Sequence, residues 1–240
     1  MKIALIGYGK MGKAVENAAS LRGHEVVAKI DKGLSNGDLA DADIWIDFTH
    51  PEAAVTNIAR AAEQGKNIIV GTTGWYEHLD EAKAIIARNG TGLLYAPNFS
   101  LGVNLFMHLV NEAAQLMNRF PMYDVGGSEV HHSQKADIPS GTAQALGAIL
   151  LSGIDRKERI AYGNEPYDSN AIHFPSIRCG AVPGTHTIMF SSTDDTITLS
   201  HEAHSRQGFA NGAVTAAEWL GNRQGFFTID DLIATLRGQS

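Results

Sequence analysis

Residues 2–6, KIALI, are an unbroken apolar run of β type that stops at a glycine. The next segment, MGKAVENAASLRG (11–23), spaces apolar and small residues at helical intervals and ends on another glycine. The alternation then repeats, with strands expected at EVVAKI (25–30), DIWIDF (43–48), NIIVG (67–71) and GLLYA (92–96). Helices are expected in PEAAVTNIARAAEQG, opened by Pro51, and near 77–89. Near-continuous apolar strands that alternate with helices imply a parallel sheet covered on both faces. The first hundred residues therefore read as a doubly wound α/β domain.

Beyond Pro97 the pattern changes. LGVNLFMHLVNEAAQLMNRF (101–120) predicts one long helix with Leu101, Leu105, Leu109 and Leu116 near one face. In GTHTIMFSSTDDTITLSHEA (184–203) the apolar positions recur every second residue, so Ile188 and Phe190 face Ile197 and Leu199 across a polar turn. This predicts an antiparallel hairpin in a smaller α+β domain with an open mixed sheet. NGAVTAAEWLGN (211–222) and IDDLIATLRG (229–238) are helices in the style of the first domain. The expected division is 1–100 with 210–240 as one domain and 101–209 as the second, with a cleft between them.

Composition narrows the partners. A chain of 240 residues with 44% hydrophobic and 19% charged residues can bury a sizeable core. A formal net charge of -7 argues against nucleic acid or an anionic membrane as the main partner and favours a small molecule. The lone cysteine, Cys179, rules out an intrachain disulfide or thiolate zinc framework, which suits the cytoplasm. The N-terminal apolar run is too short for a signal peptide, and no apolar stretch reaches membrane-spanning length.

The candidate chemistry starts at GYGKMG (7–12), where Gly7, Gly9 and Gly12 fit G-x-G-x-x-G between the first strand and the first helix. The first glycine makes the turn, the second admits a pyrophosphate, the third packs helix on strand, and the helix start offers free N–H groups. A ligand-free tight turn would use glycine too, but strand, helix and position agree on a dinucleotide. Asp31, at the end of the second strand, suits an adenosine ribose, which favours NAD. Lys32 beside it suits a 2′-phosphate, so NADH and NADPH both stay open. GTTG (71–74) and APNFS (96–100) end two further strands, where nicotinamide would lie, although each alone is more often a plain loop. Asp47 reads as support for a turn.

EVHHSQKADIPSGTA (129–143) is the densest polar segment. A regular strand would set His131, Ser133 and Lys135 on one face, a pair suited to protonating a carbanion-like product. Ser140 would cap the following helix and leave the N–H groups of Gly141 and Thr142 for a carboxylate. A metal is the rival, with Asp137, His201 and His204 as further ligands, but adjacent histidines lack a metal-ligand spacing, so no metal is expected. The bland alternative is a polar strand end before a capped helix.

GYGKMG, IDFTHPE, VGTTGW, APNFSLGVN, EVHHSQKADIPSGTA, GTHTIMF and SRQGFANGAV, in this order, resemble the 4-hydroxy-tetrahydrodipicolinate reductase (dihydrodipicolinate reductase) family over nearly the whole chain. The H-H-x-x-K-x-D-x-P-S-G-T-A run is the specific part. The resemblance implies a homotetrameric NADH- or NADPH-dependent reductase of diaminopimelate and lysine biosynthesis, with 1–100 and 210–240 as a Rossmann-like dinucleotide-binding domain and 101–209 as the substrate-binding and oligomerisation domain. It makes His131 and Lys135 catalytic and His132, Gly141 and Thr142 substrate ligands. Its cofactor contacts are Gly7, Tyr8, Gly9, Lys10, Met11, Gly12, Asp31, Gly71, Thr72, Thr73, Ala96, Pro97, Asn98 and Phe99. If His131 and His132 both face substrate, the chain must turn near residue 132. Two departures stand out: the loop 31–43 is shorter than usual, and Tyr8 sits where a small residue is common, its ring expected to point away from the phosphates. The rival classes are a dinucleotide-sensing regulator, which has no need of an acid pair, and an amino-acid or aldehyde dehydrogenase. The aldehyde enzyme would need an activated cysteine. Arg178 and Arg206 are candidates for a second substrate carboxylate.

Overall fold

A computed structural model describes residues 1–163, 165–236 and 238. In chain order the elements are β1 (Lys2–Ile6), α1 (Lys10–Leu21), β2 (Glu25–Asp31), β3 (Leu34–Asn36), β4 (Ile44–Asp47), α2 (Pro51–Glu63), β5 (Asn67–Val70), α3 (Leu79–Asn89) and β6 (Gly92–Tyr95). They continue with α4 (Leu101–Met117), β7 (Asp124–His131), α5 (Gly141–Gly153), β8 (Arg159–Ala161), β9 (Ala171–His173), β10 (Ser176–Arg178), β11 (Thr185–Ser191) and β12 (Thr196–Glu202). The chain closes with α6 (Gln207–Leu220), β13 (Gly225–Thr228) and α7 (Ile229–Leu236). Arg237, Gln239 and Ser240, which fall in the expected last helix and returning segment, lie outside the described residues.

Two compact units result, Met1–Asn104 with Arg206–Ser240, and Leu105–Ser205. These limits differ by a few residues from the expected 100/101 and 209/210, because α4 starts in the first unit and runs on into the second.

The first unit holds a seven-stranded sheet in the order β13-β6-β5-β4-β1-β2-β3. All neighbours are parallel except β2 and β3. Strand alternation splits its apolar side chains between two cores. Ile3, Leu5, Ile44 and Ile46 pack on one face with Val15 and Val214, and Ala4, Ile6, Trp45 and Ile68 pack on the other with Ile58 and Ile86. Short-range signals set the helix ends: Pro51 occupies the first turn of α2, and Gly90 closes α3 at φ 65°. Because β2 lies on one side of β1 and β4 on the other, the connections reverse at the C-terminal end of β1, where open α/β sheets bind ligands.

The second unit holds a six-stranded sheet, β12-β11-β7-β9-β8, with β10 also paired to β7. The hairpin has the expected register, Ile188 opposite Leu199 and Phe190 opposite Ile197. Phe106, Val110, Leu146, Leu150, Phe174, Ile188 and Phe190 form the core that α4 and α5 share with one sheet face.

Two expectations need correcting. The helix over 101–117 forms, but Leu105, Leu109 and Leu116 are exposed, and the inward face is Phe106, Val110, Ala114 and Met117. The helix is apolar on both sides, so helical spacing of leucines could not identify its inner face. The segments β3, β8, β9, β10 and β13 were not expected from periodicity. Each spans three or four residues, too few to display a period. No helix among the described residues is long and apolar enough to cross a membrane.

Candidate active site

In the first unit the glycine turn follows from local crowding. Gly7 adopts φ +89° and donates its N–H to Ile30 O at 2.8 Å; a Cβ on it would sit 2.2 Å from Phe48 O. A Cβ on Gly12 would sit 2.3 Å from Gly7 O, so this glycine lets α1 close on the turn, whereas the space around Gly9 is open. Tyr8 donates its hydroxyl to the Glu16 carboxylate, and Lys29 lies 4.9 Å from its ring centre. These contacts hold the ring beside Glu16 of α1 and Lys29 of β2. Asp31 ties the turn to β2: Oδ2 accepts the Tyr8 N–H at 3.0 Å and Oδ1 accepts the Lys32 N–H at 2.8 Å.

A cavity of about 300 Å³ at this switch point brings together Gly7, Gly9, Asp31 and Lys32. Thr49, His50, Asn57 and Arg60, which sequence reasoning did not single out, share its lining. Gly71–Thr73 and Ala96–Phe99 follow β5 and β6 along the same sheet edge but are not among the residues lining it. Thr72 is buried, and its hydroxyl donates to Asp47 Oδ1 at 2.7 Å. Asp47 also accepts from Thr49 N–H at 2.9 Å and Asn57 Nδ2 at 2.8 Å, joining the loops after β4 and β5. Burial raises the Asp47 carboxyl above its ordinary range, and these hydrogen bonds oppose the shift. Phe99 is buried in the core against Phe48, so only its backbone borders the sheet edge. Lys10 is exposed on the first turn of α1, and Met11 packs against the core behind it.

In the second unit β7 ends at His131, so the straight strand through residue 135 does not form. The chain turns instead after residue 131, with Lys135 N–H bonded to His132 O at 3.1 Å. Lys135 Nζ bonds both oxygens of Asp137 at 2.8 Å, and this contact leads the forces holding the Asp137 carboxyl below its usual range. Ser140 Oγ accepts the Ala143 N–H at 3.1 Å, which makes it the cap of α5. Gly141 and Thr142 occupy the first turn, where N–H groups precede the first intrahelical bond.

His131 itself is buried beside Glu129 and His186, two residues that sequence reasoning passed over. The signal for Glu129 was present: alternation along β7 sends Val125, Gly127, Glu129 and His131 to one face. His186 arrives from β11, and nothing local announced it. Burial pushes the Glu129 carboxyl up, yet hydrogen bonds from Ser140, Ser176 and Arg178 prevail and hold it at about 2. Burial pushes His186 down to about 4 and lowers His131 as well. Ligand atoms of Glu129, His131 and His186 lie within 4.8 Å of one another, a metal-like grouping that shares only His131 with the His131, His132, Asp137, His201 and His204 set weighed from sequence. Arg178, a candidate for substrate carboxylate, is occupied internally by Glu129 Oε1 at 3.0 Å and Asp137 O at 2.6 Å.

A sequence profile described as dihydrodipicolinate reductase, N-terminus, matches residues 1–99, and its C-terminus counterpart matches residues 102–233. A curated 4-hydroxy-tetrahydrodipicolinate reductase from Christiangramia forsetii is 40% identical over 238 residues, which cover 98% of this chain and 99% of the relative. One from Laribacter hongkongensis is 42% identical over 203 residues, 81% of this chain and 74% of that protein. The fold is that of a solved dipicolinate-bound dihydrodipicolinate reductase from Paenisporosarcina sp. TG-14, at TM-score 0.76 and 23% identity over 95% of this chain and 97% of the other. With the glycine turn at the switch point, these findings define an oxidoreductase with a pyridine-nucleotide-binding Rossmann domain. The chain belongs to the dihydrodipicolinate reductase family, whose curated members are named 4-hydroxy-tetrahydrodipicolinate reductase.

Proposed function

We propose that this protein reduces 4-hydroxy-tetrahydrodipicolinate to tetrahydrodipicolinate in diaminopimelate and lysine biosynthesis, with NADH or NADPH as reductant. The observation that carries the reading is the family match over 1–99 and 102–233, which includes the complete histidine segment. The glycine turn suits a pyrophosphate: space is open at Gly9, and the N-terminus of α1 follows it. Gly7 to Gly12 hold the phosphates, Asp31 and Lys32 the adenosine ribose, and Gly71–Thr73 with Ala96–Phe99 the nicotinamide end. Asp31, Lys32, His50 and Arg60 line one cavity, a mixture of charges that suits a ribose hydroxyl and a 2′-phosphate alike.

The substrate loses its 4-hydroxyl as water, and the conjugated ring then takes up two electrons as a hydride and one proton. The bound nicotinamide supplies the hydride. His131 exchanges the proton, Lys135 is a second proton donor, and His132 holds the substrate. The N–H groups of Gly141 and Thr142 receive a substrate carboxylate at the start of α5. We read the protein as a cytoplasmic homotetramer assembled through the second unit. The exposed Leu105, Leu109, Leu116 and Met189 support that assembly, and the single cysteine suits the compartment. Reaction with NADH deuterated at C4 of the nicotinamide tests the chemistry by mass spectrometry of the product. One deuterium in the ring is expected, and product formed without label from either face of the nicotinamide would overturn the hydride step.

A further inference from the structure

Glu129 is fully buried and leaves β7 on the same face as His131. An ionised carboxylate in such a place is costly unless every lone pair has a use. Oε1 is fully engaged, accepting Ser140 N–H at 3.1 Å, the Ser176 hydroxyl at 2.7 Å and Arg178 at 3.0 Å. Oε2 has no aligned hydrogen-bond partner among the described residues, and neither does His131 Nδ1. The two atoms face each other at 3.3 Å. An orphaned acceptor and an orphaned ring nitrogen at that distance need only a small ring rotation to bond. Gly184 packs beside the other ring nitrogen: a Cβ there would come 2.9 Å from His131 Nε2, so glycine leaves the room that a side chain would take.

We propose that Glu129 is the positioning residue of the proton-transfer site. Its Oε2 takes the His131 Nδ1–H and fixes the tautomer whose Nε2 meets the substrate, while its Oε1 anchors the start of α5 that receives the substrate carboxylate. The inference rests on the reading that His131 moves a proton. It makes one carboxylate the common reference for the proton donor and the substrate cradle. His186 braces it, with Nε2 3.5 Å from Glu129 Oε2 and 3.3 Å from Ser140 Oγ. A divalent metal among these ligands is disfavoured, because Arg178 already brings positive charge to the same carboxylate.

The groups facing His131 give the sign of the pH effect. Burial lowers its pKa, Glu129 raises it, Lys135 and Arg178 lower it, and Asp137 raises it. His186, edge-on at 5.1 Å between ring centres, is neutral above about 4. Removing the charge of Glu129 therefore moves His131 further down. In Glu129→Gln, kcat is expected to fall at least about tenfold with KM and NADH affinity unchanged. The alkaline limb of kcat/KM against pH should move to lower pH, a shift that a merely structural residue would not cause.

Long-range 1H–15N NMR of the wild-type protein provides a test that needs no variant. Neutral His131 is expected with its proton on Nδ1, and a proton on Nε2 would overturn the proposal even if Glu129→Gln fails to fold. His131→Asn separates the two levels: wild-type turnover in that variant would refute the proton-transfer reading itself. An inactive His131→Asn beside a Glu129→Gln enzyme with an unmoved alkaline limb would refute only the role of Glu129.

Discussion

Lys135 and Asp31 are the residues at which the proposed proton donor and the proposed ribose contact can be tested separately. Lys135 is held by both oxygens of Asp137 at 2.8 Å. Lys135→Ala is expected to lower kcat by roughly 10²- to 10⁴-fold, the usual worth of a positioned acid, while NADH binding measured by fluorescence stays intact. Turnover at the wild-type rate would remove Lys135 from the mechanism. Beside the ribose contact proposed for it, Asp31 holds the glycine turn, its Oδ2 accepting the Tyr8 N–H. Asp31→Asn keeps an acceptor oxygen and removes the charge, so KM for NADH should rise about tenfold while KM for NADPH stays level or falls. Equal losses with both cofactors would show that Asp31 serves the turn alone. The glycines and Ser140 were legible in the sequence because their reasons are local, a clash within the turn or a cap one turn away. Ser176 and His186 were not, because β10 and β11 bring them to Glu129 from distant parts of the chain.

Among the elements, β7 and β11 carry the buried acid and imidazoles, and their titration contributes to the acid sensitivity of the second unit. His186, near 4 when folded, must bind its proton against burial, so the stability it contributes is present above about pH 6.5 and is lost as pH falls toward 4. Glu129 adds stability that is present above its ordinary value near 4.5 and is lost as pH falls toward 2. Thermal unfolding followed by circular dichroism should show Tm declining from pH 6.5 downward, with a shallower decline between 6.5 and 4 in His186→Asn. A flat Tm from pH 6.5 to 4 would contradict the buried neutral histidine. Elements with a long clear period were readable, including the parallel strands and the β11–β12 register. The inner face of α4 was not, since both of its sides are apolar, and strands of three or four residues such as β3 and β13 carry no readable period.

At the scale of the molecule, each unit has its own core, and the second leaves apolar side chains in solvent, with Leu109 60% and Met189 41% exposed. Light scattering after size exclusion should give the mass of four chains, and Leu109→Glu with Met189→Glu should shift it toward one or two. A wild-type monomer would refute assembly through this surface. The resemblance in the histidine segment pointed to the same family as the full-length profile match, because that segment packs several functional groups at fixed spacing where the glycine turn alone specifies only a nucleotide. The reductase activity itself rests on one assay, in which the unstable 4-hydroxy-tetrahydrodipicolinate is generated in place and oxidation of NADH and of NADPH is recorded separately. Substrate-dependent oxidation of at least one cofactor, abolished in His131→Asn, is expected; no oxidation of either by the folded protein would refute the assignment.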